Sequence, residues 1–228
     1  MENGLRFSIL AICIMELVVL FHLFRLKNKS FKYPLLYLFL YFIVAFILDS
    51  LGLYQLINNS ISHTINNIYV PLEFVLLSLF MTSFLRNKAF KISIHFIVIF
   101  YLLFQIYFFI YIPKFDTFNW FGTNFTSITL ALLGLLIISS YFKSKRLTGL
   151  ITDNPSFWFV LTIFLINTID IFYSIILTQN YNSEDNTTYY FATVARNILK
   201  SSLMIGYLLG LRKNRIAFNV KSLKSKTA

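Results

Sequence analysis

Seven stretches of this chain run for roughly 20 residues on mainly apolar side chains between charged or turn-forming boundaries, and a helix needs about that length to cross a hydrocarbon core about 30 Å thick. They cover about 5–24, 34–57, 69–85, 92–112, 125–142, 156–177 and 191–211. Only 13% of the residues are charged and 57% are hydrophobic, against roughly 25% charged in ordinary soluble domains. The expected fold is therefore an all-α integral membrane protein, a seven-helix transmembrane domain over 1–211 followed by a basic tail, 212–228. A single cysteine, Cys13, cannot build a disulfide framework, and 27 Phe with 14 Tyr are incompatible with disorder.

Most of the net charge of +11 records direction. Arg25, Lys27, Lys29 and Lys32 follow the first stretch, Arg86, Lys88 and Lys91 the third, and Lys143, Lys145 and Arg146 the fifth. Arg212, Lys213, Arg215, Lys221, Lys224 and Lys226 lie in the tail, whereas the opposite side carries only Arg6 and Lys114. Basic residues accumulate in short cytoplasmic loops, so an outside N-terminus and a cytoplasmic C-terminus are expected. The first stretch reads as a retained signal anchor, because its apolar core is long and no small-residue cleavage site follows His22 to Phe24. The outer loops at 58–68 and 178–190 are rich in Asn, Ser and Thr. They read as solvated connections, with a lid over an outward pocket as the sharper alternative. Asn58, Asn124 and Asn186 each open an N-x-S/T triplet that matters only in a secretory pathway.

Charge inside a span costs at least about 2.5–3.5 kcal/mol, so the residues that speak to function are Glu16, Asp49, Glu73, Asp170, Arg196 and Lys200. Counted from the outer ends of their helices, they lie from about 6 Å deep for Glu73 to about 17 Å for Glu16. His22 and His95 fall near the cytoplasmic ends instead. Thr193, Arg196, Asn197, Lys200 and Ser201 recur at intervals of three and four and form one stripe; Asn167, Asp170, Tyr173 and Ser174 form another. Facing stripes would pair Asp170 with Arg196, and Lys200 with Glu16 or Glu73. Four acidic groups against two basic ones leave a formal charge of −2. At least one carboxyl is then expected to carry a proton or meet a cation, Glu16 being the deepest. The candidate cluster is Glu16, Asp49, Glu73, Asn167, Asp170, Arg196, Asn197 and Lys200. A purely structural ion-pair network is the alternative reading of the same residues.

Seven helices and a lysine in the last of them are similar to microbial rhodopsins, in which that lysine carries retinal. Here Arg196 sits one turn before Lys200 and would repel a protonated Schiff base, so no cofactor is expected. The third stretch ends SFLRNK and the seventh lacks Asn-Pro-x-x-Tyr, unlike G-protein-coupled receptors. Only His22, His63 and His95 are present, too few and too scattered for a metal-dependent seven-helix hydrolase. Neither Asp49 nor Asp170 has the Gly-x-Gly-Asp setting of an intramembrane aspartyl protease, and no nucleic-acid motif occurs. VPLEF at 70–74, NPSFWFV at 154–160 and ARNILK at 195–200 resemble a group of uncharacterised bacterial heptahelical inner-membrane proteins, modules of the kind found ahead of histidine-kinase domains. That resemblance implies a bacterial inner-membrane location and signalling through a separate partner, since the chain stops at Ala228.

The leading expectation is thus a sensor or receptor-like module with an outward-facing polar cavity. A small-solute or ion-coupled transporter, a scaffold subunit and an intramembrane enzyme follow in that order; no catalytic constellation supports the last. Expected partners are the bilayer, anionic lipid at the basic tail and a signalling protein. Trp120 and Trp158 read as interfacial anchors.

Overall fold

The computed structural model describes residues 2–30, 33–57, 64–85, 87–111, 120–143, 151–180 and 186–213. The loop residues 58–63 and 181–185, Lys114, Lys145, Arg146, His63 and the tail from residue 214 lie outside the described residues. Every regular element described is helical: α1 (Glu2–Ser30), α2 (Tyr33–Ile57), α3 (Thr64–Thr82), α4 (Lys88–Tyr111), α5 (Trp120–Lys143), a 3₁₀ turn at Ile151–Asp153, α6 (Pro155–Asn180) and α7 (Asn186–Leu203). Among the described residues, five helices are long and apolar enough to cross a membrane: Asn3–Arg25, Pro34–Tyr54, Lys88–Tyr111, Phe121–Phe142 and Pro155–Ile176. Asn67–Thr82 is apolar but shorter.

The first helix is apolar on both faces, the pattern of a helix surrounded by lipid. On α1, Leu5, Ser8, Ile12, Glu16, Val19 and Leu23 are buried at intervals of three and four. The opposite stripe, Phe7, Leu10, Ile14, Leu17, Phe21 and Phe24, is exposed and equally apolar. A water-facing helix would place polar residues there.

Packing follows the order α1, α2, α3, α5, α6, α7 and back to α1, a closed ring of six helices. The fourth helix stands outside it, leaning chiefly on α3. Its buried residues are Val98, Tyr101 and Gln105, all in its second half. There the Tyr101 ring stacks on Phe125 at 5.1 Å and its hydroxyl donates to the Gly122 carbonyl at 3.3 Å.

Local chemistry sets the helix ends. The third stretch was expected to run to Leu85, but α3 stops at Thr82, where the amides of Ser83, Phe84 and Leu85 turn to the carbonyls three residues back, at 3.3, 3.0 and 3.2 Å. The Thr82 and Ser83 hydroxyls add bonds to the carbonyls of Leu79 (2.9 Å) and Phe80 (2.6 Å). The next helix starts where Asn87 Oδ1 accepts from the Ala89 amide at 2.9 Å. At α6, Asn154 Oδ1 accepts from the Ser156 amide and hydroxyl at 3.1 and 2.7 Å, with Pro155 in the first turn.

The last stretch is not one continuous helix. It is interrupted at Met204 and resumes over 205–213. Ser201 and Ser202 donate back to the carbonyls of Asn197 and Ile198, a bonding that bends helices. The resumed part packs very closely on α6. A Cβ on Gly206 would lie 2.0 Å from Thr162 Oγ1, and one on Gly210 would lie 2.6 Å from the Phe159 ring.

Inside the ring the two ends differ. Leu23, Leu38, Phe42, Leu77, Phe80, Met81, Leu130, Ile137, Ile163 and Tyr207 are almost fully buried and form a largely apolar layer, broken by the buried hydroxyls of Ser78, Thr82 and Thr162. Phe42 and Tyr207 meet edge to face across it, with ring centroids 5.0 Å apart. The buried charged residues Glu16, Glu73 and Asp170 lie in the other half, nearer the start of α1.

Candidate functional site: a buried charge network

Five helices of the ring bring charged side chains into that polar half. Asp170 on α6 is the hub. Its Oδ1 accepts from Arg196 Nε at 2.6 Å and its Oδ2 lies 2.8 Å from Lys200 Nζ. Both cations come from α7, four residues apart and hence on one face. The expectation that Lys200 pairs with Glu16 or Glu73 is corrected here: among the described residues its ion pair is with Asp170. The i, i+4 spacing that puts Arg196 against α6 puts Lys200 there too.

The Arg196 guanidinium also lies over the Tyr173 ring, 4.7 Å from its centroid. The Tyr173 hydroxyl and Thr193 Oγ1 are 2.8 Å apart. The polar stripes of α6 and α7 therefore meet along most of their length.

Glu73, on α3, accepts at Oε1 from the hydroxyls of Tyr41 and Tyr69, each at 3.3 Å, and the two hydroxyl oxygens are themselves 3.3 Å apart. Glu16, on α1, is 1% exposed. Asp49 on α2 is its acidic neighbour across the α1–α2 contact, and Glu16 Oε2 meets no donor among the described residues. Two ionised carboxylates offer no donor, so these two groups could hydrogen-bond each other only with one proton held between them.

Asn197 lies on the α1 side, where its Nδ2 donates to Ser8 Oγ at 3.1 Å. Asn167 stays with its own helix, donating to the Ile163 carbonyl at 2.9 Å. His22 and His95 are exposed and bond back to the carbonyls of Val18 and Lys91, away from the network.

Sequence reasoning missed Tyr41, Tyr69 and Ser8. The Tyr69 to Glu73 spacing of four was a usable signal, because one helical turn sets their side chains side by side. Tyr41 carried none: its bond to Glu73 crosses from α2 to α3. The free thiol of Cys13 is buried one turn before Glu16.

Together, fold and site define an all-helical chain of multi-pass membrane type with an ionic network in its interior. Comparison with known proteins found no match to a family model, a curated protein or a solved structure.

Proposed function

We propose that all seven helices cross the membrane, with the N-terminus outside, and that the chain is a receptor-like module whose buried network responds to a small cationic ligand or to protons arriving from the outer side. The basic loops and tail support the orientation. α3 and α7 lack the length and hydropathy of the other five, and their polar residues are those that turn into the network, so they fit as spans within a ring rather than alone.

One observation carries the reading. Four carboxyl groups and two cations lie in one half of the ring, while the other half is largely apolar and carries no buried charge among the described residues. A formal excess of two negative charges is costly in low dielectric and is relieved by a positive guest. The apolar layer separates the network from the basic end, as a receptor that signals without passing its ligand requires. Conformational coupling would then run through α6 and α7, which hold the ion pairs and reach the basic end.

A carrier is the second reading, favoured by the interruption of α7 at Met204, one turn beyond Lys200. Discontinuous helices beside a buried polar site are a hallmark of alternating-access transporters. Methylammonium, the simplest ammonium probe, separates the readings. The receptor reading expects it to raise the melting temperature of the detergent-purified chain, with the gain lost in Glu16→Gln/Asp49→Asn, and no uptake into proteoliposomes. Uptake that the double variant abolishes would establish the carrier. A melting temperature indifferent to methylammonium and to acid in both proteins would overturn both readings and leave a structural network.

A further inference from the structure

The divergence of α4 from the ring opens a cleft at the basic end of the molecule. Its volume is ≈ 290 Å³, and it is lined by α3, α4, α5 and the start of α6. Phe84, Ile94 and Leu133 form its walls. Phe90 and Leu136, 53% and 52% exposed, flank a mouth that opens on the outer surface of the bundle between α4 and α5. One end is polar, with Asn87 and Asn154. Asn87 begins the turn that carries Lys88 and Lys91, neither of which has an ion pair among the described residues, whereas nearby Lys213 is matched by Asp153 at 2.6 Å.

We infer that this cleft is a binding site for one anionic phospholipid, an acyl chain lying between α4 and α5 and the phosphate meeting Lys88 and Lys91. Three features select that occupant. The walls are apolar and the mouth faces the surface that a bilayer covers, so an entering molecule comes from the lipid phase. The part of α4 that lines the cleft spans residues 87–94, about 10 Å along the axis, which accommodates a segment of chain rather than a compact solute. Lys88 and Lys91 do not line the cleft, but they adjoin its residues Asn87 and Phe90 in the chain and supply positive charge that favours a phosphate over a zwitterionic head. The site lies at the other end of the ring from the charge network. A bound chain would add to the contacts of Ile94 and Ile97, the side chains by which the first half of α4 packs on the core. The inference rests on the membrane reading of the fold.

Native mass spectrometry of the detergent-purified full chain, after incubation with vesicles of phosphatidylglycerol or phosphatidylcholine, tests it. The wild type should retain one phosphatidylglycerol per chain, with a preference over phosphatidylcholine of about tenfold. Lys88→Glu/Lys91→Glu, at an exposed and a half-buried position of the first turn, should abolish the preference at unchanged melting temperature. Ile94→Trp, which fills the cleft, should reduce retention of both lipids. Equal retention of the two lipids by the wild type, or undiminished preference in the charge-reversed variant, overturns the site while leaving the membrane reading intact. Recovery of the chain in the soluble rather than the membrane fraction overturns the membrane reading, and the site with it.

Discussion

Arg196 and Asp170 meet at 2.6 Å across the seam between α7 and α6, and Asp170 gives its second oxygen to Lys200 at 2.8 Å. One carboxylate thus serves two cations that α7 presents on a single face. Removing it strands both. Asp170→Asn should cost about 3–5 kcal/mol, the range for breaking a buried ion pair, measured as loss of unfolding free energy in detergent or as a lowered melting temperature.

Because the partner of Lys200 is Asp170, a double-mutant cycle between these two should be strongly non-additive. Lys200→Met in the Asp170→Asn background is expected to restore part of the stability lost by Asp170→Asn alone, with a coupling of at least about 1 kcal/mol. The Lys200→Met and Glu16→Gln pair should come much closer to additive. The reverse ranking would place the ion pair on α1.

Glu73 holds two phenols on a single oxygen. Tyr41→Phe and Tyr69→Phe should each be mild, because the other hydroxyl still donates. The double replacement leaves a buried carboxyl without these donors and should cost about 1–3 kcal/mol beyond the sum of the singles. Thermal unfolding of the three variants decides the point.

At Glu16 the chemistry distinguishes a hydrogen bond from a charge. Glu16→Gln keeps the shape and supplies an amide donor to Asp49 without any proton to share, so it should stay within about 1 kcal/mol of the wild type. Glu16→Leu removes the partner of a buried carboxyl and should be worse by about 1–3 kcal/mol. A Gln variant as damaged as the Leu variant would show that the carboxyl pair shares no proton.

Gly206 leaves no room for a side chain, since its Cβ would enter the space of Thr162 Oγ1. Gly206→Ala should lose about 1–3 kcal/mol, the usual cost of overpacking, and Thr162→Ala should recover much of it. Gly4 and Gly52, with nothing within 4 Å of a Cβ, provide the control. Alanine at either should be close to neutral.

Orientation is open to a direct check. In a Cys13→Ala background, a cysteine at Ser60 should react with an impermeant maleimide in intact cells. One at Ser225 should react only after the membrane is opened. The opposite pattern would invert the topology.

Helix content, the two polar stripes and the segregation of Lys and Arg are properties of residue spacing, and they are legible without coordinates. A period of three to four residues decides which side chains share a face, so Arg196 and Lys200 on one side of α7 follow from sequence alone. So does the placement of Ser8 and Glu16 on the stripe of α1 that carries Leu5 and Val19. Which faces then meet depends on the order and rotation of helices around the ring, and spacing within one helix is silent on that. Tertiary packing therefore decided that Lys200 belongs to Asp170 and that Tyr41 reaches Glu73 from another helix. It also decided that α4 stands outside a ring of six and that α7 is interrupted just beyond its charges. The physical reason is one of range: periodicity acts over a turn of helix, whereas the pairing of charges is settled by contacts between residues far apart in the chain, 26 positions for Asp170 with Arg196 and 189 for Ser8 with Asn197.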